Sequence, residues 1–322
     1  MTSTIQLADD ARQVLIGVNP KAGFQDRQAI VAAVGQELAR RGYECRVFQG
    51  IDALAQEAAG LLAAGELRAV VAAGGDGTIR LIADKTPPGT PLVVLPLGTE
   101  NLLARYLEYS AEPEDLAALL AEGLAVRLDA GRANGSLFSL MAGCGFDADV
   151  VRRVHQSRRG HIHHLSWAKP IVDTIRKYDY PELRVRYAPA DAAKEAELTE
   201  EITARWVFVV NLPRYAGGLV FSPQASGVDG LLDVCTFKEG SLWSGLMYLG
   251  GVMLGQHEGM QDFVRVQTRR LRVEAAGEVP YQLDGDPGGE LPAEFSVQPG
   301  RLTMVVGKSW AKERGFETDQ GK

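Results

Sequence analysis

The sequence predicts an α/β domain followed by a β-rich one, and three observations carry that prediction. Apolar runs of strand length alternate with stretches of helical spacing through the first 122 residues. The third run, ending at Ala73, leads into a glycine loop, GGDGT (74–78), in place of a hairpin turn. Beyond about Val126 short β-like runs take over. The early alternation is that of a doubly wound parallel sheet, whose ligands gather at the carboxyl ends of the strands.

The elements follow in order. QVLIGVNP (13–20) reads as a strand ending in a turn, 26–41 as a helix, ECRVF (44–48) as a strand and 52–64 as a helix with one apolar face. Residues 69–73 form a short apolar run suited to a fully buried parallel strand, and Thr78 is placed to cap the helix that follows. PLVVLPLGT (91–99) supplies a fourth strand, and helical spacing returns over 113–122. Three strand ends carry unusual residues: Asn19, Pro20, Lys21, Ala22 and Gly23; Gly74 to Thr78; and Gly98 to Asn101. In the second half the β-like runs are LFSLMAG, ARWVFVVN, LLDVCTF, VRVQTRRLRVEA, VPYQLDG and AEFSVQ, with helical stretches near 147–155, 166–178 and 242–253. The polar, Ala/Glu-rich segment 188–201 reads as an exposed excursion. The domains are expected at 1–128 and 129–310, with 311–322 as a polar tail.

Composition narrows the function. A chain of 322 residues can bury two cores, and its 46% hydrophobic and 23% charged residues are ordinary for a soluble protein. A net charge of −7 without large Lys/Arg clusters argues against nucleic acid as a partner. Cys45, Cys144 and Cys235 lie far apart in apolar surroundings, so they read as buried thiols of a reducing compartment. The first residues lack the basic flank and apolar core of a signal peptide, and 242–254 is too short and glycine-rich to span a bilayer. The expectation is a cytoplasmic protein.

The glycine loop carries the chemistry. Gly74, Gly75 and Gly77 let backbone N–H groups approach a ligand closely, and the helix N-terminus adds partial positive charge, so the natural guest is an anion. Asp76 would repel that guest unless a divalent cation bridges the two or the carboxylate positions an attacking group. Either reading leads to metal-assisted phosphoryl transfer. The P-loop string GxxxxGK[ST] is missing, and Arg80 stands where a dinucleotide fingerprint needs its last glycine.

GGDGT followed by LPLGTEN, with an NPxxG turn on the first strand and a late DGD, resembles the diacylglycerol kinase catalytic family, which includes bacterial lipid kinases and sphingosine kinases and shares its fold with NAD kinases. The resemblance runs from about Val14 to Val306. It implies an N-terminal α/β nucleotide-binding domain of the NAD kinase and diacylglycerol kinase type, and a β-rich, sandwich-like C-terminal domain for the lipid. It implies further that Asn19, Pro20, Lys21, Ala22, Gly23, Gly74, Gly75, Asp76, Gly77, Thr78, Ile79, Arg80 and Thr99 hold ATP. By the same resemblance the carbonyls of Ser226 and Leu231 and the carboxylate of Asp229 hold Mg2+, with Asp129 a structural or metal-network partner. From the residues themselves, SGVDGLLDV serves equally as a β-turn with Asp229-Gly230 at its corner and no metal. Asp286 and Asp76 are the catalytic candidates, Asp286 as the base that takes the proton of a lipid alcohol. A homodimer and transient contact with the inner membrane face accompany this reading.

Departures from the family pattern are specific. Ala22 replaces a serine, Leu102 the aspartate after GTxN, Leu81 the glutamate after the glycine loop, and Asp286 the glutamate of DGE, retracting that carboxylate by about one C–C bond. Arg152, Arg153, His155, Arg158, Arg159, His161, His163 and His164 form a basic cluster able to hold an anionic headgroup, although a solvated face is the commoner meaning of such a run. NLPRYAGG (211–218) could line the acceptor pocket or simply turn between strands. Residues 242–254 read as core, with a membrane-touching face as the sharper idea. A kinase acting on NAD and a non-catalytic lipid- or nucleotide-binding homologue are the competing functions.

Overall fold

The computed structural model describes residues 3–19, 28–156, 178–193, 196–215 and 218–317. Pro20 to Gly23, Arg158, Arg159, His161, His163, His164 and the stretch 166–177 lie outside the described residues. The chain divides into two compact units, one of residues 1–128 with 300–322, the other of residues 129–299. The return of 300–322 to the first unit departs from the sequence expectation, which ended the second domain at 310.

The first unit is a parallel sheet covered by helices. After the short β1 (Ile5–Gln6), it runs β2 (Gln13–Val18), α1 (Gln28–Arg40), β3 (Glu44–Phe48), α2 (Ile51–Ala64), β4 (Leu67–Gly74), α3 (Asp76–Lys85), β5 (Pro91–Pro96), α4 (Leu102–Tyr106) and α5 (Pro113–Glu122). The order β5-β4-β2-β3 is parallel throughout, with Ile16 beside both Val47 and Val71 and Val71 beside Val93. All eight residues of β4 are buried, as a strand covered on both faces requires. A Cβ on Gly17 would lie 2.8 Å from both Ile82 and Leu54, so glycine there lets α2 and α3 settle onto the sheet. Buried Arg68 donates to the carbonyls of Leu120 (2.7 Å), Ala121 (3.1 Å) and Ala8 (2.9 Å), satisfying the C-terminal end of α5.

The second unit is β-rich. It contains the second half of β6 (Leu124–Ala133), then β7 (Ser136–Phe138), β8 (Met141–Gly145), α6 (Phe146–Gln156), β9 (Leu183–Tyr187), β10 (Glu200–Ala204), β11 (Trp206–Val210), β12 (Leu232–Phe237), α7 (Leu242–Met253), β13 (Phe263–Thr268), β14 (Arg270–Ala275), β15 (Pro280–Leu283), β16 (Asp286–Glu290) and the start of β17 (Ala293–Val305). A six-stranded sheet, β13-β12-β11-β8-β15-β16, is antiparallel throughout. The antiparallel set β10-β9-β14-β17 faces it, and Val207, Val209, Val185, Val273, Tyr281 and Phe295 share the core between them. On the opposite face of the six-stranded sheet, Phe146, Tyr180, Trp206, Phe237 and Tyr248 form an aromatic cluster with α6 and α7. The three cysteines are free, with Cys144 and Cys235 buried.

Three local expectations are corrected. The cap of α3 is Gly75, and Thr78 sits inside the helix with its N–H on the Gly75 carbonyl. The expected polar tail, 311–322, begins inside a helix, α8 (Lys308–Glu313), whose Ala311 is buried and whose Trp310, just before the tail, is 2% exposed, donates to the Tyr106 carbonyl at 2.8 Å and lies beneath the Arg314 guanidinium. Residues 242–254 are not core on all sides: Tyr248 and Val252 are buried, while Trp243 (76% exposed), Met247 (63%), Met253 (69%) and Leu254 (73%) face solvent. Among the described residues no helix is long and apolar enough to cross a membrane.

Trp310→Ala is expected to destabilise the protein by about 3–5 kcal/mol, the ordinary cost of emptying a buried tryptophan site. Urea denaturation checks this; an unchanged midpoint would remove the Trp310 contacts from the account of the fold.

Candidate functional site

In the first unit the described candidate nucleotide residues lie at the carboxyl ends of the parallel strands and in the first turns of α3. Gly75, at the end of β4, and Gly98, after β5, touch through their backbones. A Cβ on Gly98 would stand 2.5 Å from the Gly75 Cα, and one on Gly75 would stand 3.2 Å from the Gly98 Cα. Only glycines allow that approach. Asn101, in the left-handed region at φ 50°, holds the second loop by accepting from the Gly98 N–H (2.8 Å) and donating to its carbonyl (2.9 Å). Thr78 and Ile79 are buried, so what their side chains offer is packing and their contact with a nucleotide would come from the backbone. Thr99 is exposed, and Arg80 and Asn19 are partly so.

Asp76 has an occupation that the sequence does not announce. It is buried, and its two carboxylate oxygens accept the N–H groups of Leu102 and Leu103, each at 2.9 Å. The carboxylate therefore caps the first turn of α4 across 26 residues of chain, while lying in the first turn of α3. This explains the anion in the glycine loop through structure: two helix N-termini share one charge. Leu102, the departure from the family's aspartate, is buried at the same place.

In the second unit the sequence DGD forms a two-residue hairpin. Asp284 (φ 51°) and Gly285 (φ 85°) are the corner between β15 and β16, both in the left-handed region that the tight primed turn requires. The Asp284 carboxylate accepts from the N–H groups of Ser139 (2.7 Å), Leu140 (2.8 Å) and Met141 (3.0 Å) and from the Ser139 hydroxyl (2.9 Å), which pins the turn to the start of β8. Asp286 is the first residue of β16, so the turn does not consume it. Its Oδ1 lies 3.5 Å from Nε2 of His155, and the same nitrogen is 3.3 Å from the Gly285 carbonyl. The rest of the expected basic cluster within the described residues is otherwise engaged: Arg152 and Arg153 both bind the buried carboxylate of Asp149.

A third carboxylate supports the same turn. Asp147, in the first turn of α6, accepts from the Tyr215 hydroxyl (2.6 Å) and from Gln282 Nε2 (2.8 Å), and Gln282 Oε1 accepts the Gly285 N–H (2.8 Å). Gly143 makes room, since a Cβ there would come within 2.1 Å of Asp147 Oδ2. Burial raises the Asp147 pKa against the lowering effect of these two hydrogen bonds. The sequence hinted at the hairpin through its Asp-Gly pair, but carried no signal for Asp147, Gln282 or the pairing of His155 with Asp286.

The turn expected to hold Mg2+ is present, with Gly230 at φ 71°. The Asp129 carboxylate accepts the Gly230 N–H at 2.7 Å, and Asp229 accepts the Leu231 N–H at 2.9 Å. Partial burial raises the Asp229 pKa, the Leu231 N–H opposes this, and the Asp233 and Asp129 carboxylates add to it. Among the described residues no three His, Cys, Asp or Glu side chains converge on a point. The expected ligand set, two carbonyls and one carboxylate, needs no such convergence, and excess negative charge with hard oxygen donors suits magnesium.

The chain matches two family models, the diacylglycerol kinase catalytic domain over residues 13–133 and the YegS C-terminal NAD kinase beta sandwich-like domain over residues 141–306. It is 33% identical to a Pseudomonas aeruginosa protein named "Probable lipid kinase YegS-like", over 92% of this chain and 94% of that one. It is 27% identical to the diacylglycerol kinase of Bacillus subtilis, over 92% and 96% of the two chains. Its fold superposes on a crystal structure of a diacylglycerol kinase from Bacillus anthracis str. Sterne with a TM-score of 0.63, at 20% identity over 92% of this chain and 98% of the other.

Asp76→Asn leaves one α4 amide facing a donor where it now meets a carboxylate oxygen, and an expected loss of about 1–3 kcal/mol follows; thermal melting checks it, and an unshifted melting point would remove the capping role. For Asp147 the raised pKa fixes the sign. Its contribution to stability is full below the unfolded value of about 4 and is lost as pH rises through the folded value. The unfolding free energy of wild type minus that of Asp147→Asn is thus expected to fall as pH is raised from about 4 toward 7, and a difference independent of pH would contradict it.

Proposed function

The chain belongs to the family of lipid kinases built from a diacylglycerol kinase catalytic domain and a YegS-type β-sandwich domain, and from that membership we propose that it transfers the γ-phosphoryl group of ATP to the hydroxyl of a lipid alcohol. The observation that carries the lipid as acceptor is the outer face of α7. That helix contains no charged residue, and it turns Trp243, Leu246, Met247, Leu249 and Met253 toward solvent, an arrangement suited to reversible contact with a membrane surface. A water-soluble acceptor such as NAD would give such a face nothing to do.

In this reading the backbone of Gly74 to Gly77 and the start of α3 receive the phosphates of ATP, with Asn19, Thr99 and Arg80 at the same strand ends. Asp286 accepts the proton of the lipid hydroxyl as its oxygen bonds to the γ-phosphorus, and the bond from that phosphorus to the bridging oxygen of ADP breaks. The carbonyls of Ser226 and Leu231 and the carboxylate of Asp229 would hold magnesium, which supplies charge neutralisation of the phosphate oxygens. Asp76 and Asp284 are assigned to holding backbone amides. The location that fits is the cytoplasm, with peripheral contact at the membrane's inner face.

Labelled ATP offered with diacylglycerol, monoacylglycerol, sphingosine and undecaprenol in mixed micelles, and separately with NAD, tests the proposal. One lipid is expected to take the label, chelation of magnesium to stop it, and Asp286→Asn to reduce the rate by a factor on the order of 10²–10⁴. Label on NAD, or on none of the acceptors, would overturn the lipid kinase reading.

A further inference from the structure

We infer that Asn211 is a positioning residue: its side-chain amide ties the turn proposed to hold magnesium to the hairpin that carries Asp286, so that order imposed on one reaches the other. The inference rests on the proposed magnesium assignment, and its bearing on turnover rests on Asp286 as the base. Its own ground is a chain of short bonds inside the second unit. Asp129 holds the 226–231 turn at two points, its N–H donating to the Gly227 carbonyl (2.6 Å) and its carboxylate accepting the Gly230 N–H (2.7 Å). Ser139 and Leu140 hold the hairpin, their N–H groups donating to the Asp284 carboxylate at 2.7 and 2.8 Å. Asn211, the residue after β11, stands between these two supports. Its Nδ2 donates to the Asp129 carbonyl (2.9 Å) and to the Ser139 carbonyl (2.7 Å), and its backbone N–H donates to the Leu140 carbonyl (2.8 Å).

The chemistry singles out asparagine. One nitrogen with two hydrogens serves two carbonyls at once, which a hydroxyl cannot do, and a carboxylate would turn lone pairs against both. The side chain is fully buried, so water does not compete for either bond. The same two bonds fix which end of the amide is nitrogen, and they leave Oδ1 buried without a partner among the described residues. An orphaned buried acceptor costs stability. An apolar side chain would avoid that cost and would lose the bridge. The next residue repeats the connection: Leu212 donates its N–H to the Leu140 carbonyl (3.0 Å), and its side chain lies so close to Gly227 that a Cβ there would come within 2.5 Å. Residues 211 and 212 thus touch the supports of both loops, and displacing the turn against the hairpin breaks the Nδ2 bridge.

Hydrogen exchange of the full chain, with magnesium in excess or chelated and without lipid, tests the tie. In wild type, magnesium is expected to slow exchange in 224–232 and, by about five-fold or more, in the hairpin residues 280–290. Asn211→Ala removes the bridge, and Asn211→Asp keeps the shape while replacing the bridging nitrogen by oxygen. In both, the slowing should persist at 224–232 and vanish at 280–290. With the lipid that accepts label, kcat of Asn211→Ala is expected to fall roughly tenfold or more, with KM for ATP unchanged. A residue that merely supported the fold would raise exchange in both segments and leave the magnesium effect on each in place. Wild-type slowing of the hairpin in whichever variant folds, wild-type kcat in Asn211→Ala, or slowing confined to 224–232 in the wild-type protein would each overturn the inference, and the last needs no variant. No magnesium effect at 224–232 in wild type would overturn the magnesium reading and the inference with it. Asp286→Asn separates the base, because the tie does not pass through that carboxylate: the magnesium effect on 280–290 should survive there while turnover is lost. Wild-type turnover in Asp286→Asn with that effect intact would overturn the base assignment and leave the tie.

Discussion

The glycine-loop end of the first unit depends on one buried carboxylate. Asp76 accepts two amides at the start of α4 while occupying the first turn of α3, so a single negative charge serves the positive ends of two helices. That bond draws the loop after β5 onto the loop after β4 until Gly75 and Gly98 touch, and Asn101 locks the second loop from the other side. The phosphate cradle proposed above would need closely spaced backbone donors that do not collapse onto neighbouring carbonyls, and this clamp of side chains holds the two loops apart from such collapse. Each oxygen of the anion in the loop already faces an amide.

The second unit uses the same device. Asp284 carries three backbone N–H groups and a hydroxyl, and in return the turn it begins adopts a left-handed corner that a non-glycine residue reaches only at some cost. In both units an aspartate beside glycines accepts backbone amides from a distant segment. At the hairpin the turn leaves the next residue, Asp286, partly exposed at the start of β16. Asp147 and Gln282 extend the support inward, at the expense of a carboxylate whose burial disfavours its charge.

Much of this was legible in the sequence, for reasons of period and composition. The continuous apolar run at 69–73 read as a doubly covered strand, and Leu271 and Val273, alternating with arginines in the run VRVQTRRLRVEA, showed the half-buried pattern of an antiparallel sheet. Pro113 and Gly123 bracketed α5 as start and stop signals do. What was not legible depends on contacts between distant residues. Trp310 stands by sequence at the end of the second domain, and only the fold packs it against Tyr106 and Phe316 in the first unit. Residues 242–253 are apolar on every side, so their composition could not say that one side faces water. His155 belongs by sequence to a basic run, and only the fold sets it beside a residue 131 positions away while Asp149 takes Arg152 and Arg153.

The same geometry accounts for one of the apolar departures from the family pattern. Leu102 offers its N–H to Asp76 and buries its side chain beside it. An aspartate there would set a second carboxylate near the first in a place shielded from water, where like charges raise one another's proton affinity and would loosen the clamp unless a cation stood between them. Leucine keeps a second carboxylate away from the Asp76 cap. Leu81, by contrast, is 37% exposed on α3, where a carboxylate would be solvated and nothing in the fold forbids it. The two departures therefore differ in kind: the first is coupled to the conformation of the nucleotide loop, and the second leaves that loop as it is.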